Sequence, residues 1–236
     1  MSTTATPAPA RAAALYRTTV GKKIAMAVSG LVLLVFVIGH FIGNLKVYQG
    51  QEAFNHYAEG LRTFGSPFFG NGQLLWLVRL GLFAALVIHI ASAVQLVRRS
   101  RAARPVPYRE YESLAFSYAS RTMVWGGLII LAFVLYHLLH LTFGTVHPDF
   151  VPGDAYHNFI LGFRSWPVAL AYIAAMIPLG FHLYHGLWSA LQTVGVNNPH
   201  YNRYRRPLAL GIALAVTIGN VTFPLAVATG LIGAGA

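Results

Sequence analysis

The chain has 236 residues, of which 56% are hydrophobic and 10% charged, and it has no cysteine. A soluble domain carries about 25% charged residues, so lipid is the expected solvent, and the lack of cysteine excludes c-type haem attachment or a thiolate-held iron–sulfur cluster on this chain. The net charge of +11 comes from Lys and Arg placed between apolar runs rather than along a polar face, which reads as membrane topology and not as nucleic-acid binding.

Residues 1–16 are rich in Ala, Pro and Thr and are expected to form a loosely docked tail. One membrane domain is expected over 17–236, built from apolar stretches at about 24–45, 74–97, 122–145, 166–194 and 207–232. Each reaches the ~20 residues needed to cross a hydrocarbon core. The first is read as a retained helix, because it is longer than a signal-peptide core and no A-x-A site follows it. Arg11, Arg17, Lys22 and Lys23 precede the first stretch. Arg98, Arg99, Arg101, Arg104, Arg109 and Arg121 lie between the second and third, and Arg203, Arg205 and Arg206 between the fourth and fifth. The opposite side carries only Lys46, Arg62 and Arg164. The positive-inside rule therefore predicts a cytoplasmic N-terminus in a multi-pass protein of the cell's inner (cytoplasmic) membrane.

His40 lies in the first stretch, His89 in the second, His137 and His140 in the third, and His182 and His185 in the fourth. His56, His147, His157 and His200 fall in connections. An imidazole in lipid needs a partner, so each intramembrane histidine is a functional candidate beside the plain reading of a hydrogen bond between helices. At 1.5 Å per residue, His40 is roughly 25 Å from Lys23 and His137 roughly 24 Å from Arg121. His89 is roughly 14 Å from Arg98 and His182 roughly 17 Å from Thr193, on helices running the other way. His40 and His137 therefore share an outer level, and His89 and His182 an inner one.

Two histidines at one level on facing helices can hold one haem iron from both sides, and two levels give two stacked b-type haems. Zinc is disfavoured, because it takes three or four ligands, and a proton relay is disfavoured, because the apolar stretches contain no Asp or Glu. A transporter calls for broken helices at the midplane, for which Pro178 and several glycines are a weak signal. Arg79 and Arg121 are candidate partners for haem propionates, beside a plain snorkelling or topology role. His140 and His185 each lie one turn from a favoured ligand and stay open as alternatives.

Several segments resemble the single-chain, five-helix, two-haem cytochrome b subunit of succinate:quinone oxidoreductases and fumarate reductases (the complex II family). They are GKKIAMAVSGLVLLVFVIGHFIGNL at 21–45, VIHIASAVQL at 87–96, SRTMVWGG at 120–127 followed by FVLYHLLH, and GFHLYHGLWSALQTVGV at 180–196. The segment GQEAFNHYAEGLRTF also has that family's look. The resemblance implies an all-α integral membrane fold, a four-helix haem-binding bundle plus a fifth helix. It implies haem ligands at His40, His89, His137 and His182, and favours His182 over His185. It implies an iron–sulfur subunit docked on the basic inner face and a flavoprotein subunit that oxidises succinate, so that succinate chemistry lies off this chain. It leaves room for oligomers of whole complexes. The quinone, with menaquinone favoured, is expected near Arg17, Lys22, Ser29 and Tyr118 on the inner side, or near Glu52 or Glu59, as proton carriers, on the outer side. A cytochrome b anchor of another dehydrogenase, such as a hydrogenase or formate dehydrogenase, and a haem-free transporter or channel are the alternatives.

Overall fold

A computed structural model describes residues 14–103 and 118–233, with the side chains of residues 118–121 outside the description. Its long elements are α1 (Thr19–Asn44), α2 (Gln51–Thr63), α3 (Gln73–Ala102), α4 (Tyr118–His137), α5 (Ala155–Arg164), α6 (Trp166–Thr193) and α7 (Pro199–Ala228). A 3₁₀ turn at Leu45–Gln49 follows α1, and a π-turn at Leu138–Thr142 follows α4. The described residues contain no strand. Five helices are long and apolar enough to cross a membrane: α1 with its 3₁₀ extension, α3, α4 with its π-turn, α6 and α7. The chain is an all-α, multi-pass membrane protein.

Helix ends follow from local chemistry. Thr18 caps α1, its hydroxyl accepting from the Gly21 amide at 2.9 Å. Gly72, at φ +76°, supplies the left-handed residue from which α3 starts. Pro follows the cap residue at the start of α7, where its missing N–H costs nothing, and Asn198 caps that end through the His200 amide at 2.8 Å. The last span therefore begins at Pro199 and not near residue 207. Arg203, Arg205 and Arg206 belong to its first turns rather than to a loop. The span expected to run through residue 145 ends in the π-turn at Thr142.

The spans pack in the order α3–α1–α6–α4, with α7 against α6. Lipid offers no hydrophobic drive between helices, so close approach depends on small residues. Ala209 and Ala213, one turn apart on α7, are fully or almost fully buried against Leu183 and Leu187 of α6. Among the described residues, the α3 and α4 helices, at the two ends of the row, share no packed interface. The row therefore encloses an interior that is open along one side.

One end of the bundle, where α1 finishes, is closed by α2 and α5. Phe54 of α2 and Tyr156, Phe159, Ile160 and Phe163 of α5 join Tyr172 and Phe223 in a single apolar cluster. Asp154 ties the two short helices together. Its carboxylate caps α5 by accepting from the His157 amide at 2.9 Å, and accepts from the amides of Asn55 (2.9 Å) and Gln51 (3.3 Å) on α2. Partial burial pushes this carboxyl up, but the three donors and the nearby His157 outweigh it and hold it below the usual carboxylate value.

Asp154→Ala is expected to cost about 1 kcal/mol of stability, the usual worth of an N-cap, measured as a lower midpoint of unfolding in detergent. A carboxyl depressed in the fold contributes stability above its ordinary pKa and loses it as pH falls through the depressed one. The difference between wild type and Asp154→Ala should therefore be full at neutral pH and shrink in acid.

Candidate functional site

Four intramembrane histidines meet in two pairs. The rings of His40 (α1) and His137 (α4) lie 5.8 Å apart between centroids, with their planes at 84°. The rings of His89 (α3) and His182 (α6) lie 6.0 Å apart at 65°. In the row α3–α1–α6–α4 each pair joins a helix to the next but one. Helices that do not pack directly are thus bridged by imidazoles pointing into the shared interior.

The spacing suits a metal held between two rings. A metal–imidazole bond is about 2 Å, and the ring centre lies about 1 Å behind the nitrogen, so two collinear ligands stand about 6 Å apart between centroids. His182 also lines a cleft of about 630 Å³ between α4 and α6, walled by Trp125, Gly126, Ile129, Phe133 and Pro178. That volume is in the range of cofactor pockets, and its walls are almost wholly apolar. Among the described residues, no three or more His, Asp or Glu side chains converge on one point.

The imidazoles are held unequally. At the His89/His182 level, the Met26 carbonyl accepts from His89 Nδ1 at 3.1 Å. This puts the proton on Nδ1 and leaves the Nε2 lone pair free, the arrangement of a metal-ligating histidine oriented by its other nitrogen. Gly30, one turn along α1, makes room for this ring. A β-carbon there would stand 3.1 Å from His89 Cε1. His182, in contrast, has a buried Nδ1 with no hydrogen-bond partner. Its ring is not committed to the protein's own hydrogen bonding.

At the other level, His137 Nδ1 lies 3.4 Å from the Tyr172 hydroxyl of α6, and that hydroxyl lies 2.9 Å from His140 Nδ1. His40 Nε2 lies 3.3 Å from the side-chain nitrogen of Asn44, one turn along α1.

The two alternative ligands face elsewhere. His140 is 1% exposed, stacks on Tyr136 and His147, and lies against Gly162 of α5. In a regular α-helix it would sit close to the face of His137. The π-turn widens the backbone just after His137, with the Phe143 amide bonding the Leu138 carbonyl at 2.8 Å, and turns His140 into the end cap. His185 packs edge-on against Trp188.

Of the other candidates, Ser29 is buried, and its hydroxyl donates to the Ala25 carbonyl at 2.7 Å. Lys22, expected on a docking rim, is 5% exposed instead. Its ammonium bonds the Gln95 side-chain oxygen and lies 4.2 Å from the Tyr16 ring centre. The Tyr16 hydroxyl lies 3.3 Å from Ser92 Oγ and accepts from the Gln95 amide at 3.3 Å. The Ser92 bond lowers the Tyr16 phenol pKa, and Gln95 and the Lys22 charge act in the same direction against burial. This polar cluster lies toward the C-terminal end of α3 from His89, where Tyr16 and Lys22 at the start of the chain's described residues meet Ser92 and Gln95, one and two turns on. Arg17 is exposed, and its carbonyl accepts from the Arg99 guanidinium at 2.8 Å. Arg79 is exposed with its guanidinium over Trp76 at 5.0 Å, so its described contact is with that ring. Glu52 and Glu59 are exposed on α2, and Glu59 pairs with Arg62 at 3.3 Å. Tyr118 and Arg121 fall in the first turn of α4, and their side chains lie outside the described residues.

Tyr16, Ser92, Gln95 and Tyr172 were not singled out from sequence. Tyr172 could have been: it stands ten residues before His182, and ~15 Å along α6 returns it to the level of His137. Comparison with protein-family models, curated proteins and solved structures gave no match to this chain.

If each level binds a haem independently, alanine at His89 or His182 should remove one haem and leave the other, and alanine at His40 or His137 should do the reverse. Haem content per chain, read by pyridine haemochrome assay, checks this. Loss of both together on a single substitution counts against two separate levels.

Proposed function

We propose that this chain is the cytochrome b membrane anchor of a succinate:quinone oxidoreductase, carrying electrons from an iron–sulfur partner through two bis-histidine haems to a membrane quinone. The observation that carries the reading is the pairing of four imidazoles, at two depths, on helices that otherwise do not pack together. A lone membrane histidine is adequately explained by a helix-to-helix hydrogen bond. Two facing pairs, each at metal-bridging separation, are not. The choice of dehydrogenase rests on the sequence resemblance alone.

Haem, when bound, supplies one-electron carriage at each level. The chain's residues would hold it: His89 and His182 at the level nearer the N-terminus, His40 and His137 at the other. The Met26 carbonyl and the Tyr172 hydroxyl fix the free nitrogen of one ring in each pair. The cluster of Tyr16, Lys22, Ser92 and Gln95 gathers hydrogen-bond donors at one mouth of the bundle, where a quinone carbonyl or a haem carboxylate can be met. Arg121 and Arg79 remain propionate candidates by position in their helices. With the N-terminus cytoplasmic, that mouth faces the iron–sulfur and flavoprotein subunits, and exposed Lys23, Arg98 and Arg99 form part of the docking face. Glu52 and Glu59, at the opposite end, are placed to exchange protons with bulk water. The same histidine pairs would serve an anchor for another quinone-linked dehydrogenase, and co-purifying subunits decide between the two.

A reduced-minus-oxidised optical spectrum of the detergent-solubilised protein, with a haem-to-protein ratio, tests the proposal. A b-type spectrum at about two haems per chain is the expected result, since each iron takes one histidine pair. A featureless spectrum leaves the imidazole pairs as packing or transport elements and removes the cytochrome reading.

A further inference from the structure

The two histidine pairs differ in what holds the nitrogen away from the partner ring. His89 is held by a backbone carbonyl of α1, which can only accept. His137 is held by a phenol of α6, which can accept from one side and donate to the other. The Tyr172 hydroxyl has both partners in place: His137 Nδ1 at 3.4 Å and His140 Nδ1 at 2.9 Å.

Three features make this a built arrangement rather than a chance contact. Tyr172 is 6% exposed and His140 1% exposed, so neither polar group has water to fall back on. Phe133 and Phe163 hold the Tyr172 ring edge-to-face at 5.0 and 4.7 Å, which leaves the phenol little freedom to swing. His140 is wedged between Tyr136 at 5.5 Å and His147 at 5.0 Å. His147 in turn is pinned: its Nε2–H donates to the Asn158 carbonyl at 2.9 Å, and its Nδ1 accepts from the Asp149 amide at 3.2 Å.

The geometry points to Tyr172 as a positioning residue for His137: the phenol oxygen accepts from His137 Nδ1–H while its proton is directed to His140 Nδ1. This orders the chain His137 to Tyr172 to His140 and fixes the tautomer of each ring. His137 then presents the bare Nε2 that an iron requires, and Tyr172 adds electron density to that ring by accepting its N–H, raising ligand basicity. His140 is thereby given a part that ligation does not describe, since it takes the phenol's own proton and keeps its oxygen free to accept. A more basic axial ligand favours ferric over ferrous iron, so Tyr172 sets the His40/His137 haem to a lower potential than it would otherwise have. The inference rests on the haem reading above.

The test is a spectroelectrochemical titration of both haems in the detergent-solubilised protein with its co-purifying partners. Wild type, Tyr172→Phe and His140→Phe are compared, with electron paramagnetic resonance of the ferric haems alongside. Phenylalanine at 172 keeps the packing and removes the acceptor. The expected result is full haem content, an upward shift of one midpoint potential with a changed low-spin signal for that haem, and an unmoved second potential. His140→Phe should shift the same haem in the same direction by less, because the phenol proton is then free to turn away from its assigned place. Unmoved potentials in Tyr172→Phe with haem content intact overturn the inference, as does an equal shift of both haems, which reports a general change of the bundle. Should Tyr172→Phe fail to assemble, an unmoved potential in His140→Phe overturns it instead. Haem-free wild type removes the cytochrome reading and this inference together, whereas haem-loaded wild type with unmoved variants removes only the inference.

Discussion

A polar ring inside a hydrocarbon slab must find a partner within the protein, because water is not there to supply one. Most of this fold can be read as an answer to that demand for six imidazoles. Two are met by main-chain and phenol groups, at Met26 for His89 and at Tyr172 for His137. His140 is withdrawn into the end cap, and His185 is laid against Trp188. His40 leans on Asn44 of its own helix, while the Nδ1 of His182 stays unsatisfied. His185 Nδ1 is likewise buried without a hydrogen-bond partner, so it is His182 alone that combines an unpaired nitrogen with a well-anchored ring, His89, across the interior. The facing of the two pairs across the interior is the basis on which a shared ligand is proposed.

The same demand shapes the helix packing. A bundle held only by small-residue contacts could close on itself, as α6 and α7 do through Ala209 and Ala213. The row α3–α1–α6–α4 does not close, and α3 and α4 remain apart with large apolar side chains such as Phe83, Val87, Trp125 and Ile129 exposed. The seam leaves these apolar faces to lipid. The end cap supplies the rigidity the seam lacks, joining α2 and α5 through Asp154 and the aromatic cluster around Phe159.

The spans and the histidine levels were legible in the sequence because both depend on one-dimensional quantities, the length of an apolar run and the rise per residue. Depth along a helix brought His40 to His137 and His89 to His182 before any contact was known. What depth could not supply was rotation about the helix axis. His137 and His140 differ by less than one turn, and only the π-turn, which no residue type announces, separates their directions. The cap was hidden for a related reason. Asp154 and Asn55 lie far apart in the chain and look like ordinary loop polarity, and only the docking of α5 on α2 makes them partners. Lys22 misled by its charge: a lysine at a helix start reads as surface, yet its long apolar stem lets it turn inward to Gln95 and the Tyr16 ring.

The π-turn at Leu138–Thr142 also sets the phase of everything that follows it. A π-turn holds one residue more than an α-helix uses at that point, and a packed helix accommodates it by bulging. Taking that residue away would return the segment to α-helical phase and rotate all that follows by about 100°. His140 would then swing back toward the face of His137 and leave its place against Gly162 of α5, and Gly144 would leave its place against Phe150. One additional residue in the turn therefore gives neighbouring histidines of a single helix two separate surroundings, and its removal would leave the His89/His182 pair unchanged while erasing the distinction between His137 and His140.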